Sequence, residues 1–504
     1  MTHTGRVVGA VLIALVAGGA GCGEDGTDRP TRANGGAARP SPSPAANVED
    51  PDARARREHE AMLDRDWPLH GLVTGLQIVV RERPDPEARP IGWLRIGSRI
   101  RLRPDPVRTP TCQTGWYRIH PHGHACAGQG IAVDDEPPPA DFVVRPPARE
   151  QPLPYEYWYV KEEAVPEYYT RPSRDDQRAA LAFAQRLLEL RRSDPTGRKA
   201  ARLLAGELPG EPRPPEGVHR FLERGFFVAG AGVEVRAQRR FVRTVRGRFV
   251  KQSQLERREG SAFRGVVLGP DAAGATLPVA WAVRAARPLL RRDRADGTVR
   301  FVEDEEAEPI ARLTRLETWV GTQNIGGERV HVLRDAEGRE RYLRHWFVAV
   351  AERVERPREV RADERWAHVD LGSQTLVVYQ GDEPVFATLV STGLPGHETP
   401  TGLFRIRAKY IADTMGDLGA DLDERYSIED VPWTQYFSGS IALHGAFWHG
   451  GFGQPRSHGC VNLSPADAHQ VFDLLAPAVP EGWLGVSAEP HSPFGRGSAV
   501  VVTP

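Results

Sequence analysis

Glycine and proline set the first limit on what this chain can fold into. They account for 51 and 43 of its 504 residues, and they punctuate short runs in which apolar and polar residues alternate. Neither residue suits a helix interior, and proline removes a ladder donor from a central strand. Runs such as "GLQIVVRER", "GWLRIGSRIRLRPD", "GWYRIHPHGHACAG" and "YWYVKEEAVPEYY" therefore predict many short strands folded into small barrels. Similar runs recur over 218–360, among them "GFFVAGAGVEVRA", "RFVRTVRGRFVKQSQL" and "RYLRHWFVAV". The stretch 174–206 carries the clearest helical period outside the C-terminal part, with Leu181, Ala184, Leu187 and Leu188 expected on one packing face. The class expected is mainly β and multidomain, and the length allows two to four domains.

Charge narrows the function classes. Lys and Arg number 66 against 67 Asp and Glu, a net charge of −1. Arginine is scattered, and lysine occurs only at Lys161, Lys199, Lys251 and Lys409. Neither pattern forms the basic face that nucleic acid requires, so no nucleic-acid partner is expected.

The N-terminus has the form of an export signal. Arg6 precedes the apolar run Val7 to Ala20, which is short for a bilayer span, and "GGAGC" then leads to Cys22. This resembles a bacterial lipoprotein signal, in which the cysteine is lipidated, although Gly19 stands where Leu is usual. An ordinary secretory signal is the alternative. Residues 1–22 are thus expected to be a signal and 23–65 a disordered tether, rich in Gly, Pro, Ser and Arg. The resemblance implies a lipid-anchored protein of the cell envelope or periplasm. Gly23, where some bacteria use Asp as an inner-membrane retention cue, leans this toward the outer membrane.

Export makes the cysteines countable. Cys112 and Cys126 flank a strand-turn-strand pattern and can close a small loop as a disulfide. Cys460 has no evident mate. It is open to four readings: a buried apolar filler, half of a disulfide, a metal ligand or a nucleophile. A thiolate nucleophile needs a base near it and donors aimed at the oxyanion it creates. His444 follows the apolar run "GSIAL" at an expected strand end, sixteen residues before Cys460. Gly459 permits a tight turn whose successive N–H groups can face an anion. Ser464 then reads as a helix N-cap, with Pro465 at the first helical position and Asp467 three past the cap. A zinc site of His444, His458 and Cys460 is the sharpest rival, yet no acidic or second Cys ligand has suitable spacing. His122 and His124 beside Cys126 read as exposed imidazoles next to a disulfide.

With "LHG" at 443–445, "SHGCVNLS" at 457–464, "STG" at 391–393 and "TPTG.F.I" at 399–406, residues 364–488 resemble the L,D-transpeptidase (YkuD-like) catalytic domain. The resemblance implies a β-sandwich-like fold with a short helix after the nucleophile. It makes Cys460 the nucleophile, His444 the general base and the Gly445 carbonyl the group that orients the imidazole. The N–H groups of His458, Gly459 and Cys460 would form the oxyanion hole. Ser457, Asn462, Tyr426 and Trp448 fall at positions that line the substrate path, with Asn462 where many members carry Arg. Peptidoglycan stem peptides are the implied partners, carbapenems the implied inhibitors, and no metal or organic cofactor is implied. An L,D-carboxypeptidase or wall-linkage hydrolase would use the same site. A non-catalytic wall-binding scaffold is the alternative of another class.

Around that domain, 66–170 ("GSRIRLRPDPV…GWYRI…GHACAGQGI") resembles a bacterial SH3-type module. The remaining boundaries expected are a helical connector and Pro-rich linker at 171–217, further SH3-like β modules at 218–360, and a C-terminal tail at 489–504.

Overall fold

The computed structural model describes residues 51–139, 144, 146–269, 275–417 and 426–504. The signal, Cys22 and the tether up to residue 50 lie outside the described residues. The expected tether ends early, because Pro51–Asp66 form helix α1. After Pro51 that stretch has no Gly or Pro and is rich in Ala, Arg, Glu, Leu and Met, all good helix formers.

Strands dominate the rest. The first β segment supplies β1 (Pro90–Arg95), the pair β2 (Cys112–Arg118) and β3 (His124–Cys126), then β4 (Glu156–Val160) and β5 (Val165–Tyr168). β2 and β3 are antiparallel with Trp116 opposite Cys126. Cys112 and Cys126 form a disulfide with Cα atoms 6.0 Å apart.

The connector contains α2 (Arg174–Ser193) and α3 (Arg198–Leu204). α2 starts where a capping box closes between Ser173 and Asp176. Its buried stripe is Ala180, Phe183, Ala184, Leu187 and Leu190, so the expected face is rotated and Leu181 is exposed. Phe183, stacked on Phe221, sets that rotation. Leu188 only flanks the cluster.

β6 (Val218–Leu222) returns to pair with β5, and β7 (Phe227–Arg236) pairs with β4. The first and second β segments thus share sheet structure across the helical connector. Farther on, β8 (Val266–Val267) leaves the second segment for the edge of a C-terminal sheet. Residues 289–344 then build a five-stranded sheet of their own.

The C-terminal part is a sandwich. One sheet runs β8, β11 (Glu383–Leu389), β10 (Thr375–Gln380), β9 (Arg365–Asp370), β18 (Ala499–Thr503) and β12 (Gly402–Arg405). β18 falls in the expected C-terminal tail, yet it lies between β9 and β12 as an interior strand. The other layer holds β13 (Ala408–Asp417), β14 (Tyr426–Ser438), β15 (Ile441–Gly445), β16 (Val461–Leu463) and β17 (Gly485–Ser487). Helix α4 (Pro465–Leu474) follows β16, with Ser464 Oγ accepting the Asp467 N–H at 3.2 Å as its N-cap. Ala367, Val369, Leu376 and Val378 of the first sheet share a core with Leu443, Val461, Leu463, Val471 and Phe472. Alternation along the strands puts these apolar side chains inward.

The accessory segments are built into this sandwich. Gly92 of β1 pairs with Val486 of β17, and Phe227 of β7 lies opposite Ile428 of β14. Residues Glu58–Pro504 accordingly form one compact unit. β14 contributes two buried carboxylates, Glu429 and Asp430, to this junction. Arg95 of β1 reaches Asp430 at 2.9 Å, and Arg220 of β6 bridges Glu429 at 2.6 Å and Glu167 of β5 at 2.7 Å. Burial, with Glu167 close by, pushes the Glu429 carboxyl up to about 7.

Breaking a buried ion pair from one side strands the partner's charge; without Arg95, Asp430 would keep only the looser contact with Arg246 at 3.9 Å. Arg95→Met should therefore cost about 3–5 kcal/mol of unfolding free energy in urea. Arg95→Met/Asp430→Asn should recover part of that loss, because Asn removes the stranded charge and tolerates the left-handed φ of 53° at position 430. A double variant no more stable than the single one would show that the charge is not what matters.

Candidate active site

The site begins with strand register. β15 and β16 are parallel neighbours, with Leu443 opposite Val461 and His444 opposite Asn462. Side chains alternate along each strand, so Leu443, Val461 and Leu463 enter the core. The same alternation places His444, Asn462 and, one step before β16, Cys460 on the opposite face. The register thus puts the thiol and the imidazole on one face of neighbouring strands.

His444 is buried, and its Nδ1 lies 3.3 Å from the Gly445 carbonyl. A carbonyl only accepts, so this contact favours the tautomer with the proton on Nδ1 and a lone pair on Nε2. Burial lowers the His444 pKa to about 4, partly opposed by the Gly445 contact, so the ring is neutral at pH 7. The Trp448 ring stacks on it at 5.6 Å. Cys460 Sγ lies 3.8 Å from the Ser440 carbonyl. Burial pushes its thiol up, against a lowering contact from the Ala442 backbone. The resting pair is therefore a thiol and a neutral imidazole.

The turn before Cys460 differs from expectation in one donor. Gly459 adopts φ 112°, a conformation that favours glycine, and its N–H donates to Ser457 Oγ at 3.1 Å. The Ser457 hydroxyl in turn donates to the Cys460 carbonyl at 2.5 Å. Of the three amides expected to face an oxyanion, that of Gly459 is thus already engaged. Ser457 itself is buried and holds the turn, which is a different place from the expected substrate-lining one. Ser457→Ala should release the Gly459 N–H and loosen the turn. We expect about tenfold slower acylation of Cys460 with little change in unfolding midpoint, by mass spectrometry over time; an unchanged rate would remove Ser457 from the site's support.

Thr399 carries a role that its motif alone did not disclose. Its hydroxyl accepts from the Gly393 N–H at 3.0 Å and donates to the Gly459 carbonyl at 2.8 Å. The "STG" and "TPTG" segments are thereby fastened to the nucleophile turn. Tyr426 faces His458 with ring centroids 6.1 Å apart, and His397 meets His458 at 4.5 Å, forming an aromatic rim beside the turn. Asn462 is buried, and one end of its amide lies 2.9 Å from His449 Nε2. His449 was legible only as a loop histidine.

The loop between β15 and β16 is gripped by the accessory segments. Tyr157 of β4 stacks on Phe447 at 3.9 Å, and Phe227 of β7 lies 6.3 Å from Trp448. Arg312, in the segment that carries the five-stranded sheet, donates to the Gly450 and Phe452 carbonyls, and to that of Val283 at 3.0 Å.

A buried imidazole and a thiol thus share one face of a β-sandwich, with a glycine turn beside the thiol. Residues 364–502 match the YkuD model, the L,D-transpeptidase catalytic domain. The C-terminal part of the chain is thus similar to that catalytic domain, and the match takes in β18. The comparison with curated proteins found no match.

Among solved structures, an Enterococcus faecium L,D-transpeptidase mutant aligns at 20% identity, over 28% of this chain and 50% of that one, with a TM-score of 0.22. An L,D-transpeptidase from Stackebrandtia nassauensis aligns at 25% identity over 29% and 58%, with a TM-score of 0.20. L,D-transpeptidase 3 from Mycobacterium tuberculosis, bound to a faropenem-derived adduct, aligns at 19% over 28% and 60%, with a TM-score of 0.22. This chain thus spans half to three fifths of the length of these three structures.

Proposed function

We propose that the protein is a peptidoglycan L,D-transpeptidase working through Cys460. The observation that carries this reading is the register of β15 against β16, which sets His444 and Cys460 on one face of a domain matching that family. In the first half-reaction the Cys460 thiol attacks the carbonyl carbon of the third stem-peptide residue while His444 Nε2 takes the thiol proton. The tetrahedral oxyanion faces the His458 and Cys460 N–H groups. Its collapse breaks the peptide bond, and His444 returns the proton to the departing amine of the terminal D-amino acid. In the second half-reaction an acceptor amine attacks the thioester, losing a proton to His444, and the thiolate leaves and is reprotonated.

The neutral resting pair suits this sequence, because proton transfer and attack then occur together and neither isolated charge has to be buried beforehand. The two tight couplings of the turn, through Ser457 and Thr399, supply the fixed geometry that oriented attack needs.

Incubation with purified tetrapeptide muropeptides, followed by mass analysis, tests the reading. Cross-linked dimers with release of the terminal D-amino acid are expected. Tripeptides without dimers would replace it with a hydrolase, and unchanged substrate would replace it with a wall-binding scaffold.

A further inference from the structure

One polar group in the cleft is unused by the reaction described above, on which this inference rests. Asn462 is 3% exposed and shares its strand face with Cys460. Nominally its Nδ2 lies 2.9 Å from His449 Nε2, which leaves Oδ1 with no hydrogen-bond partner. The state of His449 decides which amide atom faces which way. His449 Nδ1 accepts the Gly451 N–H at 3.0 Å, so that nitrogen carries a lone pair. Burial, with Arg456 and His444 near, lowers the pKa of this imidazole to about 4, and a neutral imidazole has one N–H. The proton is therefore on Nε2, which must donate. Only the amide oxygen of Asn462 can accept from it, and the NH2 group takes the unpartnered position, the reverse of the nominal assignment.

A buried amino group with nothing to donate to is a cost in a resting protein. The surrounding structure maintains it. Arg312 grips the Gly450 and Phe452 carbonyls on either side of Gly451, whose N–H fixes the His449 ring. His449 also packs against Phe452, with ring centroids 5.2 Å apart.

We propose that His449 is a positioning residue that holds the Asn462 amide by its oxygen and presents the amino group to an oxygen of the bound substrate beside Cys460. The ligand chemistry is a hydrogen-bond acceptor, a peptide carbonyl or a carboxylate, contributed by either the acyl donor or the acyl acceptor. A neutral amino group recognises either without the charge that an arginine would bring there.

The test is a double-mutant cycle on the full chain with a tetrapeptide donor and an amine acceptor. His449→Phe keeps the ring against Phe452 and removes the hydrogen bond. It should lower kcat/KM at least tenfold, mainly through KM, and less than twofold when introduced into Asn462→Ala. His449→Gln, which offers an amide N–H in place of Nε2–H, should restore part of the loss. Equal losses in both backgrounds would overturn the proposal. Slower thioester formation assigns the oxygen to the donor, and slower thioester turnover by added amine assigns it to the acceptor.

A second arm does not use activity: NMR of protein with 15N-labelled histidine should show His449 as the Nε2–H tautomer, with its resonances displaced in Asn462→Ala. An Nδ1–H tautomer would overturn the amide assignment. If wild-type protein forms no thioester at all, the transpeptidase reading fails, and the NMR arm still decides the inference.

Discussion

The Cys460→Ala protein should gain no mass on incubation with a carbapenem, whereas the wild type should gain one inhibitor mass per chain. A β-lactam presents a strained acyl group to whatever nucleophile the cleft holds, so the adduct reports the bond-forming atom directly. Among the described residues Cys460 is the free thiol, since Cys112 and Cys126 are joined. Alanine removes Sγ and leaves the Ser457 hydroxyl on the Cys460 carbonyl, so the turn should persist. The expected effect is complete loss, which no change in positioning would mimic. Equal unfolding midpoints for the two proteins confirm that the fold is retained. An adduct on the alanine variant would place the nucleophile elsewhere and end the assignment of Cys460.

What could be read from the sequence was local. The thiol, its histidine, the glycine turn and the helix cap lie within about two dozen residues, and each has a residue type that its backbone geometry demands. The disulfide was likewise legible, because its cysteines flank a hairpin pattern. What could not be read depends on pairings across long sequence separations. Nothing near Gly92 marks it as the partner of Val486, since strand pairing is chosen by the whole sheet. Glu429 and Asp430 look like surface carboxylates in the sequence, yet both are buried by arginines that lie more than 180 residues upstream. Leu181 failed on a smaller scale. A helical period identifies a stripe, but which way the stripe turns was settled by Phe221 on a strand beyond the connector. The same limit hid His449, whose meaning comes from a backbone N–H two residues away and from Arg312.

His444→Gln should slow carbapenem acylation of Cys460 by about 10²–10⁴-fold, the range lost when a positioned general base is removed. Glutamine approximates the volume of imidazole and keeps a polar end near the Gly445 carbonyl, but it cannot take a proton at neutral pH. The pH profile separates this role from a merely structural one. With burial holding His444 near pKa 4, wild-type acylation should lose rate on the acid side as pH falls through about 4, not through 6 to 7. In His444→Gln that limb should vanish. An acid limb near 6.5 in the wild type would mean that the imidazole titrates as an ordinary one and that burial does not hold its pKa down. Stability carries the same signature. A histidine whose folded pKa is lowered from 6.5 to about 4 binds a proton in the unfolded chain before it does in the folded one. Its contribution is present above pH 6.5 and is lost as pH falls from 6.5 to 4, on the order of 3 kcal/mol in all. His444→Gln should therefore remove one imidazole's share of the acid-side slope in that window, the buried His449 and His331 keeping theirs, while leaving the curve unchanged above pH 7, and an undiminished slope would mean that His444 is not what titrates.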